Sequence, residues 1–162
     1  MDSFKEQLVT KKPDNTVFIK RAIIFIVAVL IAVFLLIKLF FISIILIFLL
    51  FLGAYFLIRN FDVEYEYICT NGDLDVDKII AKSRRKRLIS VNLKTVTDFG
   101  LTSGKSYEKE YSTINATSGD PDDESYFLLC KDSKYGMCYI LITPDEDMLE
   151  VIKSYLPGTI RR

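Results

Sequence analysis

The chain has no histidine. That absence removes the commonest general base and metal ligand, and with them the Ser/His and Cys/His nucleophile arrangements and the usual zinc sites. Cysteine is sparse: Cys69, Cys130 and Cys138 are an odd number without paired spacing. They read as small core hydrophobes in a reducing compartment, with Cys130 and Cys138 on neighbouring strands as a conceivable redox pair. A surplus of one charge sign is also missing, since 21 Lys and Arg balance 21 Asp and Glu. From Arg59 onward, fifteen basic residues face eighteen acidic ones, so no nucleic acid is expected as a partner. No Gly-rich phosphate loop, nucleophile elbow or acid/base pair can be placed. The expectation is a protein without catalytic residues, cofactor or metal.

What the chain does have is a long apolar run. Ala22 to Ile58 is broken only by Lys38 and the small polar Ser43. One helix of about 37 residues would be roughly 55 Å long, nearly twice the roughly 30 Å hydrocarbon thickness of a bilayer. Division at Lys38 gives two spans, about 17–37 and 39–58, each close to one crossing, and lets the ammonium reach water at a hairpin tip. No Gly, Pro or Asn flanks Lys38, so this hairpin rests on length and charge; a bent or interfacial first segment is the alternative. Lys11, Lys12, Lys20 and Arg21 precede the run, and Arg59 and Arg84 to Arg87 follow it. By the positive-inside rule the N-terminus and the C-terminal domain are both expected in the cytoplasm, on a multi-pass inner-membrane protein.

Residues 1–16 read as a polar segment without activity, ending in the turn Pro13-Asp14-Asn15-Thr16; Phe4, Leu8 and Val9 also allow a short interfacial helix. After the apolar run the period changes to two. Val63, Tyr65, Tyr67 and Cys69 alternate with Glu64, Glu66 and Thr70, and Asn71-Gly72 supplies the turn to Leu74 and Val76 against Asp73, Asp75 and Asp77. The three aspartates read as a solvated strand face, aided by pairing with Arg85 or Arg87, because the Gly and terminal Glu of a calcium loop are absent. A bulge or strand end is expected near Lys78-Ile79-Ile80, a third strand over Leu88 to Leu93 after a basic turn, and a less regular fourth over Thr95 to Leu101. Gly104 to Glu124 is a long polar loop with room for one short strand. Ser125 to Lys131 and Met137 to Ile142 read as two central strands. Thr143-Pro144-Asp145-Glu146 predicts a helix over 144–156 with Thr143 as N-cap, an apolar stripe of Met148, Ile152, Tyr155 and Leu156, and a stop at Pro157-Gly158.

The opening hairpin Tyr65 to Val76, the basic strand Arg85 to Val91 and the closing TPDEDMLEVIKSYLP together resemble a bacterial pleckstrin-homology-like domain over about 62–157. The whole chain, with YEY…NG…LDVDKI…RRKRL after its apolar run, is similar to a family of short clostridial membrane proteins, a likeness that implies an architecture and no activity. The implied fold class is an α+β membrane protein: a transmembrane helical hairpin, then a small antiparallel β barrel or roll over 59–162 closed by a C-terminal helix. In phosphoinositide-binding relatives of that class the basic motif sits at the first hairpin. Here that hairpin is acidic, and the basic cluster lies at the next one.

Lys82, Arg84, Arg85, Lys86 and Arg87 are therefore the candidate site. A strand of about eight residues runs outward roughly 26 Å and its partner returns as far, so the tip at Ser83 is expected to face the bilayer, where each basic residue near anionic headgroups contributes about 1 kcal/mol. A solvated basic turn that only reinforces topology, or a contact with another macromolecule, are the other readings. The expected function is a membrane-tethered, non-catalytic binding or scaffolding module acting on anionic lipid, on an unidentified protein partner, or on both. The alternative is an accessory subunit whose hairpin contacts a larger membrane protein, with Ala28, Ala32, Ser43, Gly53 and Ala54 permitting close approach.

Overall fold

The computed structural model describes residues 4–38, 42–102, 111–132 and 135–160. The chain divides into two compact units. One takes in Met1–Lys12, Glu64–Ile79 and Ser83–Arg162; the other takes in Pro13–Val63 and Ile80–Lys82.

The first unit begins with a strand, β1 (Phe4–Thr10), where the sequence suggested a polar segment or an interfacial helix. Its partner is β2 (Val63–Thr70), in an unbroken antiparallel register from Phe4↔Thr70 to Thr10↔Glu64. The local sequence concealed this because β1 has only a weak alternation of its own, and its partner lies beyond the entire apolar run. Next come β3 (Asp73–Ile80) and β4 (Arg84–Asn92), completing a four-stranded sheet in the order β1-β2-β3-β4. Asn71 and Gly72 join β2 to β3 with φ of 53° and 95°, as a type I′ turn requires. Gly72 is doubly constrained, since a Cβ there would lie 2.8 Å from the Tyr155 ring.

β3 ends at Ile80, the strand end expected near Lys78-Ile79-Ile80, and β4 starts at Arg84, so the basic cluster from Arg84 to Arg87 lies within the strand, as the basic strand Arg85 to Val91 implied, and not in a turn before Leu88. The turn is correspondingly short, and it places Ala81 and Lys82 at φ of 55° and 56° without any Gly or Asn.

After a 3₁₀ turn at Leu93–Thr95, the second sheet is built from β5 (Asp98–Leu101), β6 (Ser112–Asn115), β7 (Tyr126–Asp132) and β8 (Gly136–Ile142), in the order β5-β7-β8-β6. The β6 strand runs parallel to β8 and occupies part of the long polar segment of the sequence; residues 104–110 of that segment lie outside the described residues. The architecture is thus two four-stranded sheets. The continuous apolar runs of β7 and β8 reflect burial on both sides: Leu128, Cys130, Ile140 and Ile142 join the main core, while Phe127, Leu129 and Tyr139 form a second cluster with Tyr111, Met137 and Leu141.

The closing helix, α3, spans Glu146–Tyr155. Its cap is Asp145, whose carboxylate accepts from the Met148 N–H at 2.7 Å, and not Thr143. The helix starts two residues later than expected, which leaves Thr143 for the core. There Tyr67, fully buried, donates its hydroxyl to the Ala116 carbonyl and accepts from the Thr143 N–H at 3.1 Å. Burial accordingly pushes the Tyr67 phenol well above its ordinary pKa. Met148, Ile152 and Leu156 fill the core as the stripe predicts, and α3 is held to β1 by Lys5 to Asp147 at 2.6 Å and by Gln7 bonding both the Thr143 carbonyl and the Asp145 N–H.

The second unit contains two apolar helices, here α1 (Asn15–Lys38) and α2 (Ser43–Arg59). Asp14 begins α1 by accepting from Asn15 N–H at 2.7 Å and from the Thr16 hydroxyl at 3.0 Å. At 24 residues α1 is about 36 Å long and is apolar enough to cross a bilayer; α2, at 17 residues, is about 26 Å. α1 runs through Lys38, where the sequence placed the division, and residues 39–41 lie outside the described residues. The helices pack together: the rings of Phe25 and Phe51 lie 6.2 Å apart. Arg21, near the start of α1, bonds Asp62, just after α2, at 2.6 Å.

Candidate functional site

Each of the five candidate basic residues is exposed, and Lys82, Arg84, Arg85 and Arg87 also make contacts within the protein. Arg85 reaches back to Glu66 Oε1 at 2.6 Å. Arg87 grips two aspartates of β3, with Nη1 on Asp75 at 2.7 Å and Nε on Asp77 at 2.7 Å. The hydrogen bond to Asp77, opposed by partial burial and aided by the charges of Asp75 and Asp77, strengthens the hold of Arg87 on its proton. Both guanidiniums therefore neutralise carboxylates of their own sheet. Lys82 lies in the turn, while Arg84 and Lys86 alternate with the committed arginines along β4 and so project to the opposite side of the strand.

The carboxylates that hold the arginines are less solvated than the alternating pattern implied. Glu64, Glu66 and Asp77 are all buried, with Glu66 and Asp77 at 3% exposure. The sequence carried a signal for this: two acidic strands precede a basic strand across consecutive turns, so opposite charges fall side by side on one face. Burial raises the Glu66 carboxyl pKa, the Arg85 charge lowers it, and the neighbouring Glu6 and Asp77 raise it again.

The turn that carries Lys82 belongs to the helical unit. The Ala81 N–H donates to the Asp62 carbonyl at 2.9 Å, three residues past the end of α2. Two consecutive non-Gly residues in the left-handed region are costly, at about 1 kcal/mol or more each, and this bond is one of the contacts that hold them there.

The three thiols are free and buried. Cys130 stands directly opposite Cys138 in the β7–β8 ladder. Burial, followed by the nearby Cys138 and Asp132, pushes the Cys130 thiol up to about 11, and burial raises Cys138 and Cys69 as well. At neutral pH these are core thiols with little thiolate character. Among the described residues, no three His, Cys, Asp or Glu side chains are grouped to hold a metal ion.

In the helical unit, Ala28, Ala32, Ser43 and Ala54 are the buried residues of the two helices. Their small side chains therefore serve packing within this unit. Gly53 differs: it lines an apolar groove of about 480 Å³ with Ile24, Ala28, Leu50 and Leu57, and space is open where its Cβ would be.

Two sheets, a closing C-terminal helix and an apolar helical insert after the first strand define a pleckstrin-homology-like protein with a membrane-compatible segment near its N-terminus. The chain belongs to the family described as Bacterial PH-like domain (DUF6106), which it matches over residues 1–162. No curated protein and no solved structure matches it.

Proposed function

We propose that the chain is a two-span cytoplasmic-membrane protein whose β domain is a tethered, non-catalytic binding module for anionic lipid surfaces. The observation that carries the topology is the β1–β2 ladder: the strand before the helices and the strand after them pair residue for residue. Seven cross-strand pairs cannot form through a bilayer, so a helical segment inserted between them crosses an even number of times. The Arg21 to Asp62 ion pair supports the same hairpin. Although α2 is short, about 26 Å against roughly 30 Å of hydrocarbon, local thinning or flanking residues accommodate a mismatch of that size. The basic flanks then assign both ends to the cytoplasm.

For lipid contact, the bond from Ala81 to Asp62 ties the β3–β4 turn to the chain's exit from α2. Arg84 and Lys86 follow Lys82 by roughly 7 and 13 Å along an extended chain, comparable with a Debye length of about 8–10 Å. We assign the docking to Lys82, Arg84 and Lys86 by their nearness in sequence to that bond, with Lys82 and Arg84 also making contacts within the protein, while Arg85 and Arg87 hold carboxylates of the sheet. Tethering makes a weak affinity sufficient.

Glycosylation mapping in microsomes tests the topology, with one engineered acceptor before β1 and the existing Asn115-Ala116-Thr117 sequence. Neither site is modified if both ends are cytoplasmic; modification of Asn115 alone overturns the two-span reading. Docking is tested on the full chain in nanodiscs by amide exchange over 80–87. Anionic lipid slows exchange in the wild type, and the joint Lys82→Ser, Arg84→Ser, Lys86→Ser variant loses that response. Arg85→Ser with Arg87→Ser should instead lower thermal stability and retain it.

A second reading, an accessory subunit that contacts a larger membrane protein through the hairpin, is supported only by the groove at Gly53. Replacing α1 and α2 with an unrelated hairpin and losing a specific partner in affinity recovery would favour it.

A further inference from the structure

The face of β2 opposite Tyr67 carries Glu66, and two arginines of β4 reach carboxylates of this sheet. Arg87 is shared between Asp75 and Asp77, and Arg85 reaches one oxygen of Glu66 only. The second oxygen, Glu66 Oε2, is buried and has no hydrogen-bond partner. Leaving such an atom desolvated and unpaired is unfavourable, so a donor is expected beside it. The group in reach is another carboxyl. Leu8 stands opposite Glu66 and Glu6 opposite Ile68, which makes Glu6 the diagonal neighbour of Glu66 on the same face. Two carboxylates offer each other no donor. One protonated and one ionised carboxyl do.

We propose that Glu6 and Glu66 share one proton, and that this proton latches the N-terminal strand β1 onto β2. With it the pair carries one negative charge; without it, the proton having passed to solvent, the pair carries two. The charged groups facing Glu66 are Glu6 from β1, Asp77 from β3 and Arg85 from β4, and only Arg85 favours ionisation. Burial is the largest influence and opposes it. A metal ion is the other way to neutralise such a cluster, but the described carboxylates are not grouped to hold one. Glu6 is exposed on an edge strand, which gives the proton a direct route to water.

The direction of the pH effect follows from linkage. A carboxyl whose folded pKa is raised binds more protons folded than unfolded, so its stabilisation is fully present below the unfolded value of about 4.3 and is lost as pH rises through the folded value. The loss falls on the β1–β2 contact.

The test is amide exchange on the full chain in nanodiscs, comparing protection factors of β1 with those of β3 between about pH 5 and about pH 8. The expected result is a β1 protection that falls by roughly three- to tenfold relative to β3 as pH rises. In Glu6→Gln and in Glu66→Gln the ratio becomes flat, and the double variant behaves like either single one. A flat ratio in the wild type overturns the proposal. So does a slope that survives Glu6→Gln, even if Glu66→Gln removes it, because Glu66 then titrates alone. Should Glu66→Gln fail to fold through loss of its Arg85 contact, the exposed Glu6→Gln decides the matter by itself.

Discussion

Lys82 holds a backbone conformation that a long side chain rarely adopts. Its φ of 56°, beside the 55° of Ala81, completes a turn whose counterpart ten residues earlier uses Asn71 and Gly72. Ala81 is buried, so its methyl has a packing role, whereas Lys82 is exposed. The left-handed penalty at Lys82 is relieved by glycine, so Lys82→Gly should stabilise the protein by about 0.5–1 kcal/mol, less whatever the contact of Lys82 contributes. Lys82→Val should destabilise it by more than about 1 kcal/mol, because a β-branched residue tolerates positive φ worst. Chemical denaturation of the full chain in detergent measures both. Equal stability of the three proteins would show that the turn is unstrained.

Among the elements, α3 offers the cleanest test of local coding. Asp145→Ala removes the acceptor for the Met148 N–H and should cost about 1 kcal/mol, while Thr143→Ser, which keeps the hydroxyl that accepts from the Ser118 N–H, should cost less. Thermal melts of the two variants separate the residue that caps from the one that does not. Elements defined by their own neighbours were readable from sequence: the Asn71-Gly72 hairpin, the two apolar strands β7 and β8, and the stripe of α3. Elements defined by distant partners were not. β1 earns its conformation from β2, more than fifty residues away, and the Ala81-Lys82 turn is held by contacts that include Asp62 rather than by turn residues. The same limit applied to the candidate site. Alternation identified Glu64 and Glu66 as one face, but their burial and the commitment of Arg85 and Arg87 depend on which strands lie side by side.

On the scale of the whole chain, the β domain is not confined to the sequence after the helices. A fragment beginning at Asp62 lacks β1 and leaves the β2 edge open, together with the seats of Gln7 on Thr143 and Asp145. Such a fragment should be less stable than the full chain and prone to edge-to-edge association. Adding a peptide of residues 1–12 should restore cooperative melting and a monomeric sedimentation profile. A fragment that is monomeric and fully cooperative without the peptide would show that β1 is dispensable to the fold.

The ladder between β1 and β2 also sets a timetable for biosynthesis. Phe4 emerges from the ribosome 66 residues ahead of its partner Thr70. At about 5–20 residues per second, the first strand waits roughly 3–13 s with no edge to join. Both helices are synthesised within that interval, so the sheet can close only after the whole apolar segment has left the ribosome, and the first strand must outlast its synthesis unpaired.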